Sequence, residues 1–301
     1  MINAEGDRLL ALAGDVGRDR PVLIAGATAS GKSALALAVA DRLGGRIVNA
    51  DALQVYADWR ILTARPTAGD EAQAPHALYG HVPRDRPYST GDWLRDALPL
   101  LDGPRPIVVG GTGLYFAALT EGLAAIPEID ERTRAEARRR IAEDGVAALL
   151  REIDAETRAR IDTQNPRRVQ RAWEVLTATG RGLAEWQDDT PPPVLPPDDA
   201  VRLLIDAPAD WIDPRISLRT RRMFEAGVLD EARSNRPGWS PALPSSKAIG
   251  AAELMAALDG TLSEPEAAHG IALATRRYAK RQRTWFRNRM GGWPRIDPTG
   301  G

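Results

Sequence analysis

The 301-residue chain contains no cysteine. Disulfide bonds, thiolate metal sites and a cysteine nucleophile are therefore excluded. Histidine is scarce as well, and the only histidines are His76, His81 and His269. Because these residues lack metal-ligand spacing, nothing indicates a histidine-bound metal. Lysine is equally rare, so arginine carries almost all of the positive charge. The only lysines are Lys32, Lys247 and Lys280.

The sequence also lacks a long hydrophobic run. No segment approaches the roughly 20 apolar residues that a transmembrane helix needs. Residues 1–20, MINAEGDRLLALAGDVGRDR, lack the apolar stretch of a signal peptide. We therefore expect a cytoplasmic protein that does not associate with membranes. The formal net charge is −1, so any argument for a nucleic-acid partner depends on local clusters of arginine.

Short apolar runs that end in glycine or a polar residue alternate with helical patterns. The runs typical of buried strands are PVLIA at 21–25, RIVNA at 46–50, PIVV at 106–109 and VRLLID at 201–206. This alternation predicts an α/β protein with a P-loop NTPase-like parallel sheet and helices on both faces. Ligands bind at the carboxyl ends of such strands, where we expect Gly26, Asp51 and Thr112 to lie.

The pattern becomes purely helical between 128 and 187. A helix is expected after the N-cap Asp130, ending at Gly145. Another is expected after the N-cap Asn165, with proline at its first position and Gly180 after its end. We predict no strand in this region.

Two domains follow from this change of pattern. Residues 124–190 are predicted to form an inserted all-helical domain. A proline-rich stretch, DDTPPPVLPPDD, then leads back to the sheet. The P-loop catalytic core with its C-terminal helices comprises 1–123 and 191–301.

Residues 26–33, GATASGKS, match the phosphate-binding pattern G-x-x-x-x-G-K-[ST] in full, between a predicted strand and a predicted helix. The two glycines allow backbone N–H groups to turn inward, and the helix N-terminus adds positive potential. Lys32 supplies a mobile positive charge, and the Ser33 hydroxyl is a ligand for Mg²⁺. The residues predicted to bind a di- or triphosphate are Gly26, Ala27, Thr28, Ala29, Ser30, Gly31, Lys32 and Ser33.

A P-loop NTPase usually has a second strand that ends in a carboxylate and helps to hold Mg²⁺. Here PIVV ends in glycines and a threonine, and only Asp51 and Asp206 follow other apolar runs. This weakens the prediction of an energy-coupling ATPase. It leaves open any reaction in which a bound diphosphate is the leaving group.

Six motifs extend over most of the chain. They are GATASGKS at 26–33, NADALQVY at 49–56, LTARP at 62–66, GGTGLY at 110–115, NPRRVQRAWEV at 165–175 and ATRRYAKRQRTWFRNR at 274–289. In this order they resemble the tRNA dimethylallyltransferase (isopentenyl-tRNA transferase) family. The resemblance implies transfer of a dimethylallyl group from dimethylallyl diphosphate to the exocyclic N6 of the adenine immediately 3′ of the anticodon. It further implies release of diphosphate, a requirement for Mg²⁺ and a monomeric enzyme.

The resemblance also implies roles for individual residues. Asp51 is implied as the base that accepts a hydrogen bond from the adenine amine, although its position alone equally suits a turn residue after the second strand. Thr28 and Arg219 are implied as diphosphate contacts beside Lys32. The choice of Arg219 stays open because the same segment contains Arg215, Arg221 and Arg222.

Contacts with tRNA are implied in both predicted domains. In the core, the implied positions are Asp51, Ala52, Leu53, Gln54, Thr112, Lys247 and Gly250. In the insertion, they are Arg134, Arg167, Arg168, Val169, Gln170 and Arg171. Both the insertion and the C-terminal helix are rich in arginine, as binding to RNA phosphates requires. The first cluster comprises Arg132, Arg134, Arg138, Arg139 and Arg140.

Two features qualify the predicted contacts with tRNA. The aromatic residues Trp285 and Phe286 of the C-terminal helix suit either base stacking or core packing, and we favour the core. Ala251 and Ala252 stand where the family typically has an aromatic and a basic residue. We therefore expect the tRNA contact of this loop to be modified.

Three other functions share part of the pattern. A small-molecule kinase has the same phosphate loop, but it does not need the basic insertion or the GGTGLY turn. A P-loop regulator that binds nucleic acid without catalysis accounts for the arginines but not for Asp51. An isopentenyltransferase acting on free adenine nucleotides does not need the additional helical domain.

Overall fold

A computed structural model describes residues 4–17 and 19–300. Its centre is a six-stranded sheet in which all paired strands are parallel. The strands are β1 (Val22–Gly26), β2 (Arg46–Asn49), β3 (His76–Ala77), β4 (Pro106–Gly110), β5 (Val201–Ile205) and β6 (Arg295–Ile296). Their order across the sheet is β3-β2-β4-β1-β5-β6. This confirms the predicted α/β fold with a parallel sheet.

Helices precede, connect and follow these strands. In the first part of the chain they are α1 (Ala4–Ala13), α2 (Lys32–Leu43), α3 (Ala68–Gln73), α4 (Thr90–Ala97) and α5 (Gly113–Thr120). The middle part contains α6 (Glu131–Asp144), α7 (Val146–Glu152), α8 (Ala155–Arg160), α9 (Pro166–Thr179) and α10 (Leu183–Asp188). The last part contains α11 (Ala209–Glu225), α12 (Val228–Asn235), α13 (Ala251–Leu258) and α14 (Glu264–Arg289).

Strand β1 lies between β4 and β5 and is buried along its whole length. Its side chains alternate between two cores, as the pleat of a strand requires. Ile24 packs with residues of α1 and α2 on one face, and Leu23 packs with residues of α4 and α5 on the other. The phosphate loop therefore emerges from the centre of the sheet.

The chain divides into two compact units. The first unit runs up to Thr120 and resumes at Leu195, and the second unit is Glu121–Val194. The boundaries expected from sequence, 124 and 190, lie a few residues inside the limits of the second unit.

The regular elements of the second unit are all helices, and its two longest helices have the ends expected from sequence. Asp130 caps α6 by accepting a hydrogen bond from the Thr133 N–H at 2.7 Å. Asn165 caps α9 through the Arg167 N–H at 3.1 Å, and Gly180 follows α9 with a φ of 68°. The core of this unit is formed by Ala137, Ala148, Leu149, Ile153, Val169, Ala172 and Trp173.

The two edge strands β3 and β6 were not predicted. Each has only two residues, which is too short for a periodic pattern of apolar side chains. Across 4–17 and 19–300, no helix combines the length and the apolar character that crossing a bilayer requires.

Strand β4 ends against the backbone of the segment that follows β2. A Cβ placed on Gly110 would lie 2.0 Å from the Ala50 carbonyl oxygen, and neither backbone has room to move within the buried sheet. We expect Gly110→Ala to destabilise the protein by about 3 kcal/mol or more, because overpacking a buried site is costly.

Thermal unfolding of Gly110→Ala measures this effect. Gly291→Ala is the control, because a Cβ there meets nothing within 4 Å, and its effect should stay within about 0.5 kcal/mol. Equal melting temperatures for the two variants would contradict the expectation.

Candidate functional site

The phosphate loop connects β1 to α2 and has the backbone geometry that its sequence predicts. Gly31 is the N-cap of α2 with a φ of 95°, and no side chain of the described residues caps this helix. Ala29 also has a positive φ, 60°. The first turn of α2 therefore presents backbone N–H groups that an anion would satisfy.

Lys32 is the first residue of α2, directly after the loop. Its Nζ donates to the Ala27 carbonyl oxygen at 3.3 Å. Burial lowers the pKa of Lys32 to about 8; the negative Asp51 opposes this shift and the positive Arg219 adds to it. Lys32, Asp51 and Arg219 therefore lie close enough together for their charges to interact.

Of the four candidate arginines on α11, Arg219 is the one that lies in the site. The two Nη atoms of Arg219 donate to Thr28 Oγ1 at 3.0 Å and to the Thr63 carbonyl oxygen at 3.3 Å. Burial lowers the pKa of this guanidinium, and Asp51 acts in the opposite direction. Arg215 instead pairs with Glu5 of α1 and donates to the Ala29 carbonyl oxygen at 3.1 Å. Arg221 and Arg222 are exposed.

Asp51 follows β2, and its two carboxylate oxygens have different environments. One oxygen, Oδ1, accepts from the Leu53 N–H at 3.0 Å, as a turn residue would. The other, Oδ2, would lie 3.3 Å from a Cβ placed on Gly111. The side chain also lines a cavity beside the loop. Asp51 therefore stabilises a turn and leaves a carboxylate oxygen at the site.

The cavity has a volume of about 50 Å³, which corresponds to about four water molecules at ~10–15 Å³ each. Part of its wall is polar and part is apolar. The polar part includes Thr28, Asp51, Arg219, Thr220, Thr275 and Tyr278. The apolar part includes Leu53, Leu62, Ile216, Met223, Ile249 and Ile271. The site therefore combines an anion cradle with a small apolar pocket.

Gln282 of α14 was missed from the sequence. Its Oε1 accepts from the Thr28 N–H at 2.9 Å, and its Nε2 donates to the Gly111 carbonyl oxygen at 2.9 Å. The side chain is 6% exposed. A signal existed, because Ala279, Gln282 and Phe286 share one face of the helix, and a polar residue on a buried face requires partners.

Several predicted tRNA contacts in the first unit have structural partners. Thr112 Oγ1 accepts from the Ala52 N–H at 2.9 Å. Gln54 donates to the carbonyl oxygens of Thr63 and Ala64, each at 2.9 Å. The first bond holds the segment after β2 next to the GGTG turn, and the bonds of Gln54 hold it to the backbone of 63–64. Leu53 lines the cavity.

The residues at the loop before α13 differ from one another in exposure. Lys247 is exposed. Gly250 is buried with a φ of 102°, and a Cβ there would lie 2.9 Å from both Leu62 Cδ1 and Ile271 Cγ1. Ala251 is fully buried and Ala252 is exposed. The side chain of Ala251 therefore belongs to the core.

The predicted tRNA contacts of the helical unit differ in how deeply they are buried. Arg167, Arg168 and Arg171 are exposed on α9. Val169 is fully buried in the core of that unit, and its side chain is therefore unavailable to a nucleic acid. Gln170 donates to Glu174 Oε1 at 2.7 Å.

Arginines of α6 fall into two groups. Arg138, Arg139 and Arg140 each form an ion pair with glutamate, which reduces the positive field expected from this cluster. Arg134 lies near Arg171 of α9. Partial loss of hydration lowers the pKa of the Arg171 guanidinium, the negative Glu174 opposes this shift, and the positive Arg134 adds to it. The two guanidiniums therefore repel each other at one place on this unit.

Trp285 and Phe286 of α14 take part in core packing, which is the alternative that we favoured from the sequence. Phe286 is 3% exposed in the core on the α4 and α5 face, and Trp285 packs against that core half-buried. A Cβ on Gly113 would lie 2.0 Å from the Trp285 ring. Trp285 therefore covers the start of α5.

Comparisons with known proteins agree with this site. The family model described as IPP transferase matches 54–289, and the model described as isopentenyl transferase matches 20–79. The tRNA dimethylallyltransferase of Dinoroseobacter shibae is 58% identical over 282 residues, covering 93% of this chain and 95% of that protein. The enzyme of the same name from Cereibacter sphaeroides strain ATCC 17029 is 59% identical over 283 residues, with coverages of 94% and 90%.

Solved structures are similar as well. The tRNA isopentenylpyrophosphate transferase of Bacillus halodurans has a TM-score of 0.65 and 33% identity, covering 93% of this chain and 90% of its own. A eukaryotic dimethylallyltransferase acting on tRNA has a TM-score of 0.79 at 24% identity, covering 93% of this chain and 74% of its own. The latter likeness supports the fold alone.

The phosphate loop at the centre of a parallel sheet, with a carboxylate and an apolar pocket beside it, defines a P-loop transferase. Within that class, the extent of the matches decides the family. The chain belongs to the tRNA dimethylallyltransferase (isopentenyl-tRNA transferase) family, whose members are prenyltransferases.

Replacing Gln282 tests its part in the anion cradle. Gln282→Leu leaves the Thr28 N–H and the Gly111 carbonyl without their partner, and an unpaired buried polar group costs about 1–3 kcal/mol. We expect the affinity for dimethylallyl diphosphate, measured by calorimetry, to fall by about tenfold or more.

Gln164→Leu, at an exposed position of the helical unit, is the control and should bind as the parent does. If Gln282→Leu binds the ligand as tightly as the parent, Gln282 does not position the loop.

The lowered pKa of Lys32 predicts a pH dependence. Below a pKa of about 8, the free protein already carries the ammonium that attracts a diphosphate. At higher pH, binding must take up a proton, so the affinity should fall by up to about tenfold per pH unit. The terminal phosphate ionises near pH ~6 and does not contribute in this range.

Calorimetric titrations with dimethylallyl diphosphate between pH 7 and 9.5 measure this effect. Lys32→Ala should bind more weakly at pH 7 and show little change across the same range. A flat profile for the parent would show that Lys32 does not titrate at the cradle.

Proposed function

We propose that the protein transfers the dimethylallyl group of dimethylallyl diphosphate to the exocyclic N6 of the adenine immediately 3′ of the anticodon in a tRNA. Diphosphate is the second product. The observation that carries this proposal is the composition of the cavity wall, which has Thr28, Arg219 and Asp51 on its polar part and aliphatic side chains on the remainder.

The polar part of the wall binds the leaving group. Backbone N–H groups of the loop, Lys32 and Arg219 face the diphosphate, and Thr28 Oγ1 lies within 3.0 Å of the guanidinium. As the bond between the allylic carbon and oxygen breaks, its electron pair moves to the diphosphate. Fixed donors around that oxygen stabilise the developing charge more than they stabilise the bound substrate.

Asp51 acts on the acceptor. The amine of adenine is a weak nucleophile because its lone pair is delocalised into the ring. Its nitrogen forms the new bond to the allylic carbon and loses one proton, which the free carboxylate oxygen of Asp51 accepts. The turn that uses Oδ1 holds the carboxylate in place for this step.

Mg²⁺ is proposed as the cofactor, with Ser33 as its protein ligand. The residues present fit this ion. Over 4–17 and 19–300, no group of three or more acidic, histidine or cysteine side chains is arranged to hold a metal. Ser33 is exposed beside a second cavity of about 310 Å³. Mg²⁺ commonly binds through substrate phosphates and water with few protein ligands, and here it would neutralise charge on the diphosphate.

The acceptor is proposed to be tRNA rather than a free nucleotide. The relatives described above are named for action on tRNA. The helical unit binds RNA phosphates through arginine side chains. These are the exposed Arg167, Arg168 and Arg171 of α9, together with Arg134 of α6. The target base must leave its stack to reach Asp51. We propose a monomeric, cytoplasmic enzyme.

Asp51→Asn tests the proposed reaction. Removing the base should slow transfer by about 10²-fold or more and leave binding of tRNA nearly unchanged. The mass of an unmodified anticodon stem–loop RNA, incubated with dimethylallyl diphosphate and Mg²⁺, reports the transfer. The exposed Asp85→Asn is the matched control.

Separate incubations with AMP, and with ATP and small-molecule acceptors, distinguish the other activities. Mass gain on the RNA alone is the expected result. Transfer of the γ-phosphate of ATP, or equal rates for Asp51→Asn and the parent, would contradict the proposal.

A further inference from the structure

The reaction cavity has one face of α11 along its wall. Ile216, Arg219, Thr220 and Met223 all line it, and their spacing is that of a single helix face. Arg219 marks the polar end because it donates to Thr28 of the phosphate loop. Met223 is one turn further from the loop, about 6 Å along the helix axis.

Helix α14 also extends away from the phosphate loop along the cavity wall. Gln282 contacts the loop at Thr28, and Tyr278, Thr275 and Ile271 then line the cavity in succession. Ile271 lies eleven residues before Gln282, which is about 16 Å along a helix. The aliphatic side chain of Ile271 is therefore at the end of the cavity remote from the phosphate loop.

The remote end is closed by a packed core. Leu62, Met223 and Ile271 line the cavity, and all three also belong to a hydrophobic core that contains Trp59 and Leu254. Gly250 lies against Leu62 and Ile271 so closely that a Cβ there would be 2.9 Å from each. A longer prenyl chain would have to displace this core.

We propose that Met223 limits the prenyl donor to a single isoprene unit. The inference rests on the proposed function and names the donor that the same site excludes, which is a diphosphate with two or more isoprene units. Met223 is the side chain at this end that faces the cavity from the helix carrying Arg219. Leu62 and Ile271 close the same end but are anchored by Gly250 between them.

Methionine suits this position physically. Its side chain is unbranched and adapts to the group it contacts, and it is 9% exposed, against 3% for Leu62 and 2% for Ile271. Truncation of Met223 to alanine removes the thioether and the carbons on either side of it. The space released is continuous with the cavity, because Met223 forms part of the wall.

The test compares two donors on the same RNA. Met223→Ala and the parent are assayed with dimethylallyl diphosphate and with geranyl diphosphate, using one unmodified anticodon stem–loop. We expect the ratio of kcat/KM for geranyl over dimethylallyl diphosphate to rise by about 30-fold or more. Apolar pockets discriminate by about 10–200-fold for each added or missing methylene.

The chain supplies a matched control. Met255 is a buried methionine of the same hydrophobic core, 4% exposed, and it does not line the cavity. Met255→Ala should lose stability as Met223→Ala does, without a change in the donor ratio. A similar rise in both variants would show a general loosening of the core and would overturn the proposal.

A binding measurement separates the length limit from the reaction itself. The unreactive S-thiolodiphosphates of the dimethylallyl and geranyl groups are titrated against each protein, with inorganic diphosphate as the reference. Met223→Ala should bind inorganic diphosphate as the parent does and should gain affinity for the geranyl analogue. An unchanged preference for the shorter analogue would overturn the proposal.

Two further results keep the inferences distinct. Should Met223→Ala fail to fold, Met223→Val, which removes less of the side chain, takes its place with a smaller rise expected. A parent that binds the short analogue but transfers nothing to RNA would refute the proposed function. The ratio of analogue affinities would still decide the role of Met223.

Discussion

The site depends on two cations and one carboxylate that interact beside the phosphate loop. Burial lowers the pKa of both Lys32 and Arg219, and Asp51 opposes the shift in each case. A buried charge is costly unless a partner compensates it. One carboxylate compensates one of the two cations, so the site as a whole retains a positive charge that a diphosphate would neutralise. The contact of Lys32 with the Ala27 carbonyl uses only one of the three N–H donors of the ammonium.

The remaining architecture keeps these charges in position. The phosphate loop is held from outside the sheet, because Gln282 bonds to both Thr28 and Gly111. The GGTG turn lies so close to the Ala50 backbone and to the Trp285 ring that only glycine fits at Gly110 and Gly113. The same turn bonds to the segment that carries Asp51 through Thr112. The helix α14 therefore fixes both the anion cradle and the proposed base relative to β1.

Features that depend on neighbouring residues could be predicted, and features that depend on distant residues could not. The phosphate loop and the caps at Asp130 and Asn165 are encoded within a few residues. The partner of Thr28 is 254 residues away, and the choice of Arg219 required the packing of α11 against the loop. For 167–171, the motif supplied the segment, but only the packed core revealed that Val169 points inward. The two-residue strands β3 and β6 exist because neighbours pair with them.

The bond between Gln282 and Thr28 also concerns how the protein is made. Thr28 lies in the loop of 26–33, and Gln282 is synthesised 254 residues after it. A nascent chain that lacks α14 has the loop sequence but no side chain to hold the Thr28 amide. The loop therefore gains this hydrogen bond only once α14 has been synthesised and has packed against it.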